Sequence, residues 1–117
     1  MSAASVGPER LAAVFAALGD PVRLQLVTLL CAGGLMSIAQ LTAGTAITRQ
    51  GVTKHLHVLA EAGIVCDVKL GRERRWQLDP QRIEEARCAL EAIGRQWERA
   101  LGRIKAFVEA DGAGPSA

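Results

Sequence analysis

The sequence predicts a mainly α-helical chain with a β-hairpin wing, in the order α-α-α-α-β-β-α. Segments on both sides of the hairpin repeat apolar residues at intervals of three and four, which is the spacing of one helix face. Only residues 64–78 change to a period of two, which is typical of paired strands. Asp-Pro pairs at 20–21 and 79–80 mark helix starts, and Ser37 suits the N-cap of a short third helix. Glycines follow several helical segments, and Gly63 is expected to end the helix before the hairpin.

A length of 117 residues favours one domain, which we place at residues 8–109. The small and polar ends, residues 1–7 and 110–117, are expected to be disordered. The sequence has no N-terminal signal pattern and no apolar run of about 18 residues. We therefore expect a cytoplasmic protein with no membrane partner.

The net charge of +2 is unevenly distributed. Residues 45–78 carry six basic and three acidic side chains, whereas the rest of the chain is nearly neutral. A locally basic segment on a near-neutral body indicates an anionic partner at one surface. With two Phe, two Trp and no Tyr, the chain lacks the rows of aromatic residues on which single-stranded nucleic acids stack.

Placed on a helical wheel at about 100° per residue, residues 47–59 separate into two chemically different faces. The apolar face carries Val52, Leu56 and Leu59. The opposite face carries side chains that can hydrogen-bond base edges and phosphates, namely Gln50, Thr53, Lys54 and His57. Thr48 suits the N-cap, and no acid follows before Glu61. This pattern favours a helix that enters the major groove of double-stranded DNA, although an ordinary amphipathic surface helix is the alternative.

The hairpin that follows has a basic tip. Four of the seven residues from Lys69 to Arg75 are cationic. Beside a candidate DNA-reading helix, this composition favours a wing that grips phosphates. The alternative is a tip that is polar only for solubility.

The last helix carries an apolar stripe at nearly heptad spacing. A chain of this length has too little surface of its own to bury so long a seam, so we expect a second copy to cover it. The alternative is a long helix that lies across its own core. The first helix is also strongly apolar and is assigned to the same interface. The predicted dimer residues are Leu11, Phe15, Leu90, Ile93, Trp97, Leu101 and Ile104.

Three segments together resemble the ArsR/SmtB family of winged helix-turn-helix repressors. They are LGDPVRLQLVTLL at 18–30, ITRQGVTKHLHVLAEAGIV at 47–65 and GRERRWQLDP at 71–80, within a match that spans roughly residues 9–108. The resemblance implies a homodimer that binds DNA through the winged helix-turn-helix, often to control its own operon.

The metal sites of that family are not reproduced. Where one family site has cysteines, this chain has MSIAQL at 36–41, and its last helix has glutamates but no histidine for the other site. His55 and His57 point about 200° apart on a helix and cannot share a metal. We therefore predict the branch of the family without metal motifs, and no cofactor.

The three cysteines are odd in number and form no CxxC pair, so neither a disulfide framework nor a zinc site is indicated. Redox-sensing relatives place one cysteine on the second helix and one on the last, as Cys31 and Cys88 are placed here. A thiol-responsive repressor is therefore an alternative, with inert buried thiols as the default expectation. No other effector is indicated.

The favoured function is a sequence-specific, homodimeric transcriptional repressor that binds an imperfect palindrome and regulates its own gene. The expected DNA-binding residues are Thr48, Arg49, Gln50, Thr53, Lys54, His55, His57, Arg72, Arg74 and Arg75. A winged-helix module that binds a protein is the other alternative. An enzyme is not predicted, because no phosphate loop or nucleophile motif occurs. Glu84 and Glu85 are interpreted as a solvated helix face.

Overall fold

The structure is a computed structural model that describes residues 7–113. The predicted disorder of residues 1–6 and 114–117 lies outside the described residues. The described part forms helices and strands in the following order: α1 (Pro8–Leu18), α2 (Pro21–Gly33), β1 (Met36–Ser37), α3 (Ile38–Ala43), α4 (Arg49–Glu61), β2 (Val65–Leu70), β3 (Glu73–Leu78) and α5 (Pro80–Ala113).

The predicted order of four helices, hairpin and helix is confirmed, with one additional strand. Met36 and Ser37, which precede α3, pair antiparallel with Trp76 and Arg75 of β3. The sheet therefore has three strands in the order β1-β3-β2. A two-residue strand is too short to show a period in the sequence.

The chain divides into two compact units, residues 1–86 and 87–117. The first contains α1 to β3 and the beginning of α5, and the second contains the rest of α5. This helix continues to Ala113, so the predicted boundary at residue 109 and a tail that begins at 110 are wrong for residues 110–113.

Predicted N-caps are confirmed at three helices of the first unit. Asp20 Oδ2 accepts hydrogen bonds from the N–H groups of Val22 at 2.9 Å and Arg23 at 3.1 Å. Ser37 Oγ accepts from the N–H of Gln40, whose side chain in turn accepts from the Ser37 N–H. Asp79 Oδ1 accepts from the N–H of Gln81 at 2.9 Å. These bonds satisfy N–H groups that have no partner within a helix.

The core of the first unit joins α1, α2, α3, α4, the base of the sheet and the beginning of α5. Its buried apolar residues are Val14, Ala17, Leu26, Leu30, Leu41, Val52, Leu56, Leu59, Ile64, Val65, Trp76 and Ala86. The spacing of Leu24, Val27 and Leu30/Cys31 predicts the buried stripe of α2, and this prediction is partly wrong. Leu24 is 50% exposed, and Leu26 is buried instead. Six of the nine residues from Val22 to Leu30 are apolar. At about 100° per residue they spread over more than half of the helix circumference, so the spacing alone does not define the buried face.

Gly63 ends α4 as predicted, through a Schellman motif. Its φ is 78°, its N–H donates to the Ala60 carbonyl at 2.9 Å, and the Ile64 N–H donates to the Leu59 carbonyl at 3.0 Å. Leu59 and Ile64 are both fully buried and supply the hydrophobic contact of that motif. The motif sets the direction in which the chain enters the wing.

The hairpin places Trp76 inward and its tip outward. Gly71, at φ 63°, is the first residue of a two-residue loop between Leu70 and Glu73, and the described chain has no other type of residue at positive φ. These features match a type II′ turn. Val65 and Trp76 share the buried face of the hairpin. The alternating series Ile64, Cys66, Val68 and Leu70 is more apolar in sequence, yet its members Cys66 and Leu70 are exposed.

Glu85 is buried, which corrects its interpretation as a solvated residue. It is 5% exposed and accepts hydrogen bonds from Arg10 of α1 at 3.4 Å and from Arg82 at 3.3 Å. Two guanidinium groups therefore compensate for the burial of one carboxylate. The contact fastens α1 to the beginning of α5 within the first unit.

In the second unit, residues 87–113 continue α5 as a helix with exposed apolar side chains. Among the described residues, no single helix has both the length and the apolarity for a membrane span; α1 and α2, bent by 95°, meet these criteria only as a pair and only by length and composition.

Gly63→Ala is expected to destabilise the protein by about 1–2 kcal/mol. A β-carbon at this position would lie 2.6 Å from Arg82 Nε, in a backbone conformation that favours glycine. Urea denaturation measures the loss. Gly94→Ala is the control, because a β-carbon there meets nothing within 4 Å and alanine favours a helix. Equal stability of the two variants would contradict this account.

Candidate nucleic-acid interface

The beginning of α4 is fixed by its cap. Thr48 Oγ1 accepts a hydrogen bond from the Gly51 N–H at 3.1 Å, which confirms the predicted N-cap. A β-carbon on Gly51 would lie 3.3 Å from Ile47 Cδ1 and 3.4 Å from Thr48 Oγ1. The absence of a side chain at Gly51 therefore lets the cap and Ile47 lie close to the first turn.

The two faces of α4 separate as predicted. Val52, Leu56 and Leu59 are fully buried in the core. The side chains predicted to meet DNA from the other face line one shallow depression, formed by Arg49, Gln50, Thr53, Lys54 and His57. No acidic side chain lines this depression, so it offers an anion donors and positive charge without a competing carboxylate.

Two residues of this depression are held by specific contacts. The Thr53 hydroxyl donates to the Arg49 carbonyl at 2.9 Å, one turn earlier in the same helix. The His57 ring lies against the buried Trp76 ring of β3, with centroids 6.3 Å apart and planes inclined by 54°. The second contact ties the exposed face of α4 to the base of the wing.

His55 lies apart from the depression. Its Nδ1 is 3.3 Å from Arg23 Nη1 and 3.9 Å from Asp20 Oδ2, at the beginning of α2. The N–H of Arg23 lowers the pKa of the Asp20 carboxyl, against the opposing effect of desolvation. The Val22 N–H and the charges of Arg23 and His55 lower it further. His55 thus joins α4 to the beginning of α2.

The cations of the wing fall into two groups. Arg74 Nε lies 3.0 Å from Asp67 Oδ2, and Arg75 Nη2 lies 3.3 Å from Glu73 Oε2. Lys69 and Arg72 form no ion pair among the described residues, and the same holds for Arg49 and Lys54 of α4. Exposed ion pairs contribute only about 0–1 kcal/mol, so Arg74 and Arg75 can still exchange their carboxylates for phosphates.

The predicted dimer residues lie in both units. On α5, Leu90, Ile93, Trp97, Leu101 and Ile104 are all exposed, and Trp97 is exposed by 61%. Phe107 and Val108 extend the same exposed apolar series, although the predicted interface omitted them. On α1, Leu11 and Phe15 are half-buried, and Phe15 packs against the core of its own unit.

The cysteines are exposed, so the expectation of buried thiols is wrong. Cys31, Cys66 and Cys88 are all exposed. Cys31 borders a mainly apolar cavity of about 640 Å³ with Leu30, Leu78 and Ile83. Among residues 7–113, no three His, Cys, Asp or Glu side chains are grouped as a metal site requires. The thiol-responsive alternative stays a prediction.

Comparison with known proteins identifies the family. A family model described as a helix-turn-helix domain matches residues 18–66, which span α2, α3 and α4. The HTH-type transcriptional regulator Rv2034 of Mycobacterium tuberculosis is 34% identical over 96 residues, covering 82% of this chain and 86% of that protein. An ArsR-like transcriptional regulator from Rhodococcus sp. RHA1 has a TM-score of 0.72 and 36% identity, over 85% of this chain and 92% of that one. The chain belongs to the ArsR family of transcriptional regulators.

Membership of the ArsR family explains the arrangement of α2 to β3 as a winged helix-turn-helix that binds DNA. The similar proteins are regulators and not enzymes, as the sequence predicted. The homodimeric winged helix-turn-helix domain of Mb0332 from Mycobacterium bovis shares the fold, with a TM-score of 0.60 and 20% identity over 75% of this chain and 82% of that one.

Asp20→Asn is expected to reduce the loss of stability in acid. The folded state lowers the pKa of Asp20 below its ordinary value of 3.8, so the carboxylate contributes fully above that pH and progressively less below it. Asparagine keeps the cap but does not titrate. The melting temperature should therefore fall less between neutral pH and about pH 3 for the variant than for the wild-type protein. Parallel pH profiles of the two proteins would show that Asp20 contributes nothing to this dependence.

Proposed function

We propose that this ArsR-family regulator is a repressor that binds an imperfect palindrome in the promoter of its own gene as a homodimer. The observation that carries the proposal is the acid-free depression on α4, in which five polar side chains converge. The resemblance to a family of repressors that often control their own operons supports the repressor role and the autoregulation.

In this proposal, α4 enters the major groove with the depression towards the bases. Gln50, Thr53 and Lys54 read base edges, where glutamine suits adenine and lysine suits guanine. The residues that contact the sugar-phosphate backbone are Thr48, Arg49, His55 and His57. The Thr48 side chain is committed to the cap, so it contributes mainly by fixing the first turn of α4.

The wing adds contacts that do not depend on sequence. Arg72, Arg74 and Arg75 hold phosphates or enter the flanking minor groove. Arg72 is available without the loss of an ion pair, whereas Arg74 and Arg75 must first leave Asp67 and Glu73. Among these three arginines, Arg72 is therefore the one for which binding to phosphate has the lowest cost.

A second copy completes the site by covering the apolar series of α5. Large apolar side chains with exposures between 45% and 74% form a continuous surface that water solvates poorly. The proposal relates the two copies by a two-fold axis and assigns Leu11 and Phe15 to the same interface. Binding to successive turns of DNA then requires the two α4 helices to lie about 34–36 Å apart. The homodimeric relative of the same fold supports this arrangement.

Lys54→Ala is expected to weaken specific DNA binding by roughly 1–3 kcal/mol and to relax the base preference. Arg72→Ala should instead weaken all sequences alike and reduce the slope of log affinity against log salt by about 0.9. Fluorescence anisotropy with the promoter fragment and an unrelated duplex, over a range of salt concentrations, measures both effects.

Arg99→Ala is the charge-matched control, because Arg99 is exposed on α5 and forms no ion pair among the described residues. It should bind DNA like the wild-type protein. Equal losses in all three variants would mean that only net charge matters. DNA binding that does not depend on salt, or that is the same in all variants as in the wild-type protein, would contradict this site. It would favour the alternative of a protein-interaction module.

Trp97→Glu is expected to give a monomer in analytical ultracentrifugation and to lower affinity for the palindrome roughly 100-fold or more, since the half-sites are then bound independently. Leu24→Glu is the control, because Leu24 is a similarly exposed apolar residue on α2. A monomeric wild-type protein, or a dimeric Trp97→Glu variant, would refute the proposed interface.

A further inference from the structure

We propose that Thr53 recognises thymine, through contact between its γ-methyl group and the 5-methyl group of that base. The inference rests on the proposed function, because it requires α4 to lie in the major groove. It adds the identity of one base that the helix selects.

The hydroxyl group of Thr53 is already engaged in a hydrogen bond. A threonine hydroxyl has a single proton to donate, and here it is donated to the Arg49 carbonyl at 2.9 Å. Donation to an acceptor on a base, such as guanine N7 or thymine O4, would require that bond to break. The side chain therefore presents its methyl group and the free lone pairs of its oxygen.

Within the depression, Thr53 differs from its neighbours. It is half-buried, and the other four lining residues are the longer polar side chains of Arg49, Gln50, Lys54 and His57. Thr53 is the only member of this set with a methyl group. If a methyl group of the DNA enters this concave surface, the methyl group that it can contact there is that of Thr53.

The major groove of DNA offers a partner for both groups of the Thr53 side chain. Thymine alone among the four bases projects a methyl group there, and the adenine paired with it offers the N6 amino group as a donor. The methyl group and the accepting oxygen of Thr53 match these two features of one A·T pair. A G·C pair presents no methyl group to the same side chain.

The experiment replaces thymine by uracil, which removes only the 5-methyl group. A duplex that the wild-type protein enriches from a random-sequence pool is prepared with each thymine replaced singly. One replacement in each half-site should weaken binding about fourfold, the loss expected for one buried methyl group. Thr53→Val keeps the methyl group and should show the same ratio. Thr53→Ser keeps the hydroxyl but lacks the methyl group, and should bind both duplexes equally.

Thr28→Ser is the matched control, because Thr28 makes the same bond to a carbonyl one turn earlier, to Leu24 at 2.9 Å, but lies on α2. It should discriminate between thymine and uracil like the wild-type protein. The proposal is overturned if the wild-type protein tolerates every replacement, or if Thr53→Ser keeps the discrimination. Selective binding without this discrimination refutes only the role of Thr53, whereas enrichment of no sequence refutes the proposed function as well.

Discussion

Burial of one face of α4 is the constraint on which the rest of the site depends. Val52, Leu56 and Leu59 are completely removed from solvent, and burial of each such side chain is worth about 1.5–3 kcal/mol. Rotation of the helix about its axis would expose all three at once. The core therefore fixes which side chains face outward, and the bonds at Thr48 and Gly63 fix where the helix begins and ends.

The distribution of charge follows from how the acids are used. Glu85 lies between two guanidinium groups, and Asp20 caps α2. Asp67 and Glu73 are bound by arginines of the wing. Arg49, Lys54, Lys69 and Arg72 remain without a carboxylate among the described residues. A net charge of +2 thus conceals a surface on α4 and the wing tip whose positive charge is largely uncompensated.

The second unit is distinguished by the apolar side chains that it exposes. Its helix exposes an apolar series that includes Phe107 at 74%, while charged residues such as Arg95 and Glu91 lie between the members of the series. Within one copy of this unit, nothing described covers these side chains. A symmetric partner would bury them and would also set the spacing of two DNA-reading helices, so the dimer and the palindrome belong to one proposal.

Residue patterns alone were sufficient to predict the order of the helices and the hairpin, the inner face of α4, the caps at Asp20, Ser37 and Thr48, and the end of α4 at Gly63. These features depend on local periodicity and on hydrogen bonds between near neighbours, which a sequence records directly. The folded structure was needed to establish that Leu26 and not Leu24 is buried, that Glu85 is held between arginines, and that the cysteines are exposed. It also showed that His55 contacts Arg23 of α2, whereas His57 packs on Trp76. Each of these outcomes depends on a contact or on packing between segments far apart in the chain, for which the local pattern carries no signal.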